Sequence, residues 1–132
     1  SMKANLQNKE PEILDYWKVQ MADIASCSNV FLKLGGIGMP MMGFRWDKRD
    51  RPASSVELAE AWSDPIQYAI EVFGADRCMF ESNFPVDKRG VGYVPLWNSF
   101  KVIAASCSAD EKRDLFHDTA ARAYRLPLLA QT

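Results

Sequence analysis

The residues best suited to chemistry follow a short apolar run at residues 78–80, in the stretch Ser-Asn-Phe-Pro. The side-chain amide of Asn83 can hydrogen-bond a carbonyl oxygen or orient a water molecule. It does not accept a proton at neutral pH, and its neutral oxygen is a weaker cation ligand than a carboxylate. Asn83 is therefore a candidate for positioning or binding rather than for general-base catalysis. The alternative is a structural asparagine that hydrogen-bonds the backbone where a strand ends.

Three further side chains are candidates for contact with a small-molecule substrate: Trp46, Phe84 and Asp87. Asp87 suits either a substrate-binding loop or a turn or helix cap. Trp46 and the Met-Pro-Met-Met cluster at 39–42 could line an apolar pocket or pack at a subunit contact. The charged run 45–51 is expected to be a solvated loop, although an acidic substrate would suit it.

Residues that could hold a metal ion are scarce. The single histidine is His117, and one imidazole without partners cannot build a site of three or four ligands. The three cysteines, Cys27, Cys78 and Cys107, are far apart and form no CxxC pair, which argues against a disulfide framework or a zinc knuckle. We therefore predict no metal site in this sequence, an inert buried thiol at Cys78 and a reducing, cytoplasmic setting.

Composition excludes several function classes. The sequence has 132 residues, 48% of them hydrophobic, which suits one globular domain. Lys and Arg total 16 against 17 acidic residues, so the net charge of −1 offers no basic field for nucleic acid. No apolar run approaches the ~18 residues that a membrane span requires.

Periodicity predicts helices alternating with two buried strands. Leu14, Trp17, Met21 and Ile24 lie on one face of a helix over 12–26, and apolar residues at 30–34 and 78–82 predict strands. Capping boxes predict two helix starts, at Ser54 with Glu57 and at Ser108 with Glu111. Asp64-Pro65 is expected to interrupt the first of these helices or to restart it. A further helix carries Leu96, Phe100 and Ile103.

Strands separated by helices predict parallel pairing in an α/β fold. Both strands are apolar on both faces, which is typical of strands that have neighbours and covering layers on each side. Two strands alone form a marginal sheet. We therefore expect a piece of a larger α/β fold. Lys33, in the first strand, is expected to form a structural salt bridge, with substrate binding as the alternative.

Three motifs together resemble the amidohydrolase-related ("amidohydrolase 2") family of metal-dependent hydrolases, whose fold is a distorted (β/α)8 barrel. NVFLKLGGIGM resembles the family's seventh strand and its loop, FGADRCMFESNFPVDK the eighth strand and its exit, and EKRDLFHDTAARAYRL the closing helix. The resemblance implies a C-terminal part of the barrel, about strands 7 and 8 with their helices. We accordingly expect a partial barrel at 11–127, preceded by a disordered segment at 1–10 and followed by a tail at 128–132.

The resemblance also carries functional expectations. Asn83 stands where the family usually has an aspartate that binds metal or acts as general base. The family's HxH pair and its other metal-binding histidines have no counterpart in this sequence, so a divalent metal such as Zn is expected only in a complete barrel. The implied activity is hydrolysis of a lactone or a related cyclic ester or amide. This chain is expected to be inactive by itself and to self-associate or to complement a missing N-terminal half. The alternative function is a non-catalytic interaction module.

Overall fold

The computed structural model describes residues 10–127, which form an α/β structure. Its helices are α1 Glu10–Ala25, α2 Ser55–Phe73, α3 Tyr93–Ile103, α4 Ala109–Arg113 and α5 Thr119–Ala123, and its strands are β1 Leu32–Leu34 and β2 Cys78–Phe80. A π-helical turn, Asp114–Asp118, joins α4 to α5. None of the helices described is both long and apolar enough to cross a bilayer. The segment predicted to be disordered, 1–10, lies outside the described residues except for Glu10, which begins α1, and the predicted tail at 128–132 lies wholly outside them.

The two strands pair in parallel, as the alternation of strands and helices predicts. Leu32 is opposite Cys78 and Leu34 is opposite Phe80. The backbone N–H of Glu81 donates to the carbonyl of Leu34 at 3.2 Å, which extends the pairing by one residue. Within residues 10–127 the sheet contains these two strands only. Their carboxyl ends therefore lie side by side at one edge of the sheet.

Helix α2 begins as its sequence predicts but does not break where the sequence suggests. Ser54 and Glu57 form a reciprocal capping box at its first turn, and Gly74 ends the helix at φ 84°. The predicted interruption at Asp64-Pro65 is wrong, because α2 continues through Pro65. A proline inside a helix removes one backbone hydrogen bond and costs about 3 kcal/mol. Burial of Trp62 and its neighbours along the same face outweighs that cost.

The core lies between α2, α3 and β2. Its largest fully buried side chains include Trp62, Phe100 and Leu58. Phe80 of β2 stacks on Phe100 of α3, with ring centroids 4.5 Å apart. Cys78 is fully buried, and this burial raises the pKa of its thiol to about 12, as expected of an inert cysteine.

The chain covers more of its own sheet than its sequence suggests. All three residues of β2 are buried among the described residues, and Leu34 of β1 is buried as well. The covering layers expected for β2 are therefore supplied by the chain's own core. Exposed apolar residues occur on several elements, among them Tyr16 and Ile24 on α1 and Phe31 directly before β1.

Candidate functional site

Two loops leave the carboxyl edge of the sheet and meet. The first follows β1 and comprises residues 35–54, and the second follows β2 and comprises residues 81–92; we call them the β1 loop and the β2 loop. In parallel α/β folds, ligands bind at the carboxyl ends of the strands, where such loops converge. The contact between these two loops is therefore the candidate functional site.

Glycines allow the two loops to approach closely. A Cβ atom added at Gly35 would lie 2.2 Å from Cγ and 2.5 Å from the backbone oxygen of Glu81. A Cβ atom added at Gly38 would lie 2.8 Å from Oδ2 of Asp87. These distances are too short for any side chain larger than hydrogen. The spacing of the glycines along the β1 loop is thus required by the position of the β2 loop.

The centre of the contact is a pair formed by Asn83 and Asp87. Asn83 has a left-handed backbone, with φ 52°, a conformation in which asparagine is enriched. Its Nδ2 donates to Oδ1 of Asp87 at 2.8 Å. The backbone N–H of Gly38 donates to Oδ2 of the same carboxylate at 3.1 Å. Asp87 therefore joins the end of β2 to the β1 loop through both of its oxygens.

Asp87 is fully buried, with 0% of its surface exposed. This burial raises the pKa of its carboxyl group, while the hydrogen bonds from Asn83 and Gly38 act in the opposite direction. The backbone carbonyl of Asp87 also accepts from the N–H groups of Gly90 and Val91. These hydrogen bonds are those of a residue that holds a turn, which is one of the two roles considered for Asp87. Its predicted contact with substrate remains a prediction, and it would require the two loops to separate.

Asn83 keeps one acceptor available. Its Nδ2 faces Asp87, so its Oδ1 points away from that carboxylate, and no donor within residues 10–127 is hydrogen-bonded to Oδ1. The residue is partly exposed. Because the buried carboxylate fixes the amide, Asn83 presents a carbonyl oxygen in a set direction at the strand exit. Such an oxygen can accept a hydrogen bond from water or from a hydroxyl group.

Lys33 pairs with the first residue of the β2 loop. Its Nζ lies 2.6 Å from Oε2 of Glu81, and the hydrogen bond and charge of Glu81 raise the pKa of Lys33. Half of the Lys33 side chain is exposed, so the pair contributes little to stability. The expectation of a salt-bridged structural lysine is confirmed.

A cleft of about 640 Å³ opens between the two loops. Trp46 and Phe84, both predicted to contact substrate, line it, whereas Asp87 does not. Arg49 lies over the Trp46 ring, 5.6 Å from its centre, and donates to Glu57 at 2.7 Å. The pKa of Glu57 is lowered to about 2, mainly by the Ser54 backbone N–H and then by Arg49. Glu57 therefore anchors this wall of the cleft to the start of α2.

The methionine cluster does not form part of the cleft wall. Met41 is 82% exposed, and Met42 is half exposed. Phe44 instead stacks on Trp46, with centroids 5.8 Å apart. The alternative that the methionine cluster lines a pocket is therefore not supported for this cleft.

The described residues do not form a metal site. Within residues 11–127, no three His, Cys, Asp or Glu side chains are grouped closely enough to hold an ion. His117 lies on the π-helical turn, half exposed, with Nδ1 2.7 Å from Oδ1 of Asp118. A catalytic zinc site needs three protein ligands. A catalytic metal ion thus does not fit the residues that the structure describes.

Some contacts of this site could have been predicted from the sequence, and others could not. Asn83 and Asp87 are four residues apart around Pro85, a spacing that brings two side chains together in a tight turn. Lys88 and Arg89 reach the cleft from the β2 loop. The sequence did not predict Gly38 or these two cations as site residues, because their positions at the site depend on contacts between loops that are far apart in the chain.

Comparison with known proteins gives consistent matches to one family. A family model described as Amidohydrolase matches residues 8–126. An uncharacterised protein of Sinorhizobium fredii, y4mH, is 36% identical over 121 residues, which are 92% of this chain and 36% of that protein. An L-fucono-1,5-lactonase of Burkholderia multivorans is 30% identical over 121 residues, which are 91% of this chain and 38% of the lactonase.

Solved structures agree with the sequence matches. A crystal structure of a Burkholderia multivorans amidohydrolase with bound Hepes has a TM-score of 0.76 and 27% identity, and covers 90% of this chain. A second crystal structure, with bound zinc, has a TM-score of 0.74 and 28% identity, and covers 86% of this chain. This chain covers 39% and 38% of those structures. It thus spans well under half the length of the relatives and structures that it matches.

Proposed function

The chain belongs to the amidohydrolase family, and from this premise we propose that its two loops form part of the site at which a (β/α)8 hydrolase opens a lactone or a related cyclic ester or amide. The similarity to an L-fucono-1,5-lactonase supports a lactone as the substrate. The observation on which the proposal rests is the meeting of the β1 and β2 loops at the carboxyl edge of two parallel strands, with the Asn83 amide fixed by buried Asp87.

The proposed reaction is ring opening by water. For a lactone, the water oxygen bonds to the carbonyl carbon, the ring C–O bond breaks, and a proton from the water ends on the released ring oxygen. The products are a hydroxyl group and a carboxylic acid that ionises. Oδ1 of Asn83 accepts a hydrogen bond from the attacking water or from a substrate hydroxyl and so orients it. An amide does not take up the proton that the water loses. The general base must therefore be another residue.

We further propose that the described residues do not turn over substrate by themselves. Asp87 is buried with both oxygens hydrogen-bonded, and Glu81 is paired with Lys33. Neither carboxylate is free to act as a base toward a water molecule bound at Asn83. The bound zinc in one structural neighbour supports a divalent ion in the complete family fold. Its ligands would have to come from outside residues 10–127.

A hybrid enzyme tests the proposed function. Residues 11–126 replace the matching segment of the Burkholderia lactonase, and circular dichroism verifies that the hybrid is folded. We expect a folded hybrid to hydrolyse the parent's lactone, and we expect Asn83→Ala to lower its kcat by about tenfold to a hundredfold, since a positioning hydrogen bond is lost. Asn98→Ala, on the exposed side of α3, is the matched control. A folded hybrid that does not hydrolyse the lactone would contradict the proposal.

Association with another chain is a second candidate function, favoured by the exposed apolar residues of α1. Ile13, Tyr16 and Val19 are each more than half exposed. Leaving such side chains in water loses roughly 25 cal/mol for each Å² that could be buried. A dimer or a complex with a complementary part of a barrel would cover them. Light scattering tests this candidate: we expect a mass above that of one chain at micromolar concentration, and a strictly monomeric solution would contradict it.

A further inference from the structure

The proposed hydrolysis gives no role to the exposed apolar residues of the β1 loop. Met41 exposes most of its surface, Met42 half of it and Phe44 more than a third. Large apolar side chains that lie exposed next to one another mark surfaces that bind a protein or a membrane. We call these three residues the apolar tip.

The apolar tip is an ordered turn that the core holds at its base. Pro40–Met42 form a 3-10 turn, which a hydrogen bond of 3.3 Å from the N–H of Gly43 closes. Phe44 stacks on Trp46 and packs edge to face on fully buried Trp62, with centroids 6.4 Å apart. The loop thus presents its two methionines to solvent from a fixed support.

Exposed cations follow the apolar tip in the same loop. Arg45 is exposed, and no carboxylate among residues 11–127 forms an ion pair with it. The side chains of Lys48 and Arg51 are 65% and 77% exposed. Their ion pairs, with Asp47 at 3.3 Å and with Glu57 at 3.6 Å, are therefore in water and weak. These three cations can exchange their contacts for anionic groups outside the chain.

The charge of the molecule is unevenly distributed. The β1 and β2 loops contain six of the 16 basic residues and four of the 17 acidic residues, so these loops carry a net charge of +2 and the rest of the chain −3. One of the four acidic residues, Asp87, is fully buried, and another, Glu81, is paired with Lys33. An anionic surface would therefore attract the end of the molecule that carries the apolar tip and would repel the remainder.

We propose that the β1 loop attaches this chain to an anionic lipid surface. Met41 and Met42 enter the boundary between headgroups and acyl chains, and Arg45, Lys48 and Arg51 contact the anionic headgroups. Projecting methionines need no matching cavity in a fluid surface, and their flexible side chains adapt to it. The nearby cations select an anionic lipid surface over a neutral one. This attachment does not depend on the proposed hydrolysis.

Co-sedimentation of the full chain with lipid vesicles tests the proposal. The vesicles consist of phosphatidylcholine alone or with about one third phosphatidylglycerol, in about 0.1 M salt. We expect the partition coefficient to be about tenfold higher for the anionic vesicles, and to fall to the value for neutral vesicles at about 0.5 M salt. Equal partition onto both kinds of vesicle, or binding to neither, would overturn the proposal.

Two double variants test the residues assigned to the lipid contact. Met41→Ser with Met42→Ser should lower the partition coefficient on anionic vesicles about tenfold, because the apolar contact is lost. Lys48→Gln with Arg51→Gln should lower it by a similar factor, because two cations leave the surface. All four side chains are exposed, so we expect circular dichroism and thermal unfolding to match those of the parent.

Each double variant has a matched control outside the two loops. Val19→Ser with Val102→Ser removes two exposed apolar side chains from α1 and α3, and Lys101→Gln with Arg113→Gln removes two exposed cations from α3 and α4. Both controls should partition as the parent does, since charges more than about 10 Å from the lipid contact are screened in about 0.1 M salt. A control that weakens binding as much as its test variant would contradict the proposal.

Sedimentation equilibrium without vesicles identifies a different occupant of the apolar tip. We expect the parent and the double methionine variant to have the same mass distribution, because the tip contacts lipid. If the parent forms an oligomer that Met41→Ser with Met42→Ser dissociates, the tip binds a second copy of this chain, and the proposal is wrong.

Discussion

Replacing Asn83 with aspartate is expected to destabilise the fold at neutral pH by roughly 3 kcal/mol. The substitution places a second carboxylate where Nδ2 now donates to Oδ1 of fully buried Asp87 at 2.8 Å. Two carboxylates at that distance cannot both ionise, so the pair must retain a proton or the loops must separate. The expected cost is large because Gly38 supplies the only other hydrogen bond to the Asp87 side chain within residues 10–127.

The loss should depend on pH in a defined direction. In Asn83→Asp, the folded state holds one shared proton to a higher pH than the unfolded state does. The folded pKa of the pair is therefore raised above the unfolded value of about 4. Stability relative to the parent is then retained below about pH 4 and is lost as the pH rises from 4 toward 7. Urea unfolding at pH 4 and pH 7 measures the difference.

Asn83→Gly is the matched control for this prediction. Glycine adopts a positive φ without strain, so this variant removes the amide and little else. We expect it to cost about 1.5–2 kcal/mol, because the lost hydrogen bond is donated to a buried carboxylate, with a weaker dependence on pH. If Asn83→Asp is as stable as Asn83→Gly at pH 7, the side chains of residues 83 and 87 are not in the contact that the structure shows.

Replacing Gly35 with alanine should have a comparable effect for a purely steric reason. The new methyl group would meet the backbone oxygen of Glu81 at 2.5 Å as well as its side chain. A flexible side chain can move aside, but the backbone of Glu81 is held by its N–H bond to the Leu34 carbonyl. Overpacking of this kind costs about 1–3 kcal/mol, and we expect the upper end of that range.

The measurement is again unfolding in urea, with Gly43→Ala as the reference variant. A Cβ atom at Gly43 meets nothing within 4 Å, but its φ of 91° strains any other residue. Gly43→Ala should therefore lose about 1 kcal/mol from strain alone. An equal or smaller loss in Gly35→Ala would mean that the two loops are not in contact at the end of β1.

Local signals predicted the framework of the fold well. Both capping boxes, at Ser54 and Ser108, form as their side chains predict, and the two apolar runs pair as parallel strands. The prediction at Pro65 is wrong because the local effect of proline opposes a helix, whereas the buried face around Trp62 favours one. Tertiary packing of the buried face outweighs the local effect of the proline.

The places of the candidate residues in the fold were predictable from the sequence, but their contacts were not. The strand exit at Asn83 and the cleft residues Trp46 and Phe84 were identified from residue type and place in the chain. The burial of Asp87 was not, because it depends on Gly38, which lies 49 residues away in the sequence. Contacts between distant loops leave no periodic signal, and glycine spacing is their only trace in this sequence.

The central claim is that this chain supplies two loops of a lactone-opening site and not a complete site. A turnover assay on the purified 132-residue chain tests this claim most directly. L-fucono-1,5-lactone is the substrate, the assay runs at neutral pH with and without added zinc, and Asn83→Ala is measured beside the parent. We predict hydrolysis no faster than in buffer for both proteins. Saturable hydrolysis by the parent that Asn83→Ala abolishes would contradict the claim, because a complete site would then lie within this chain.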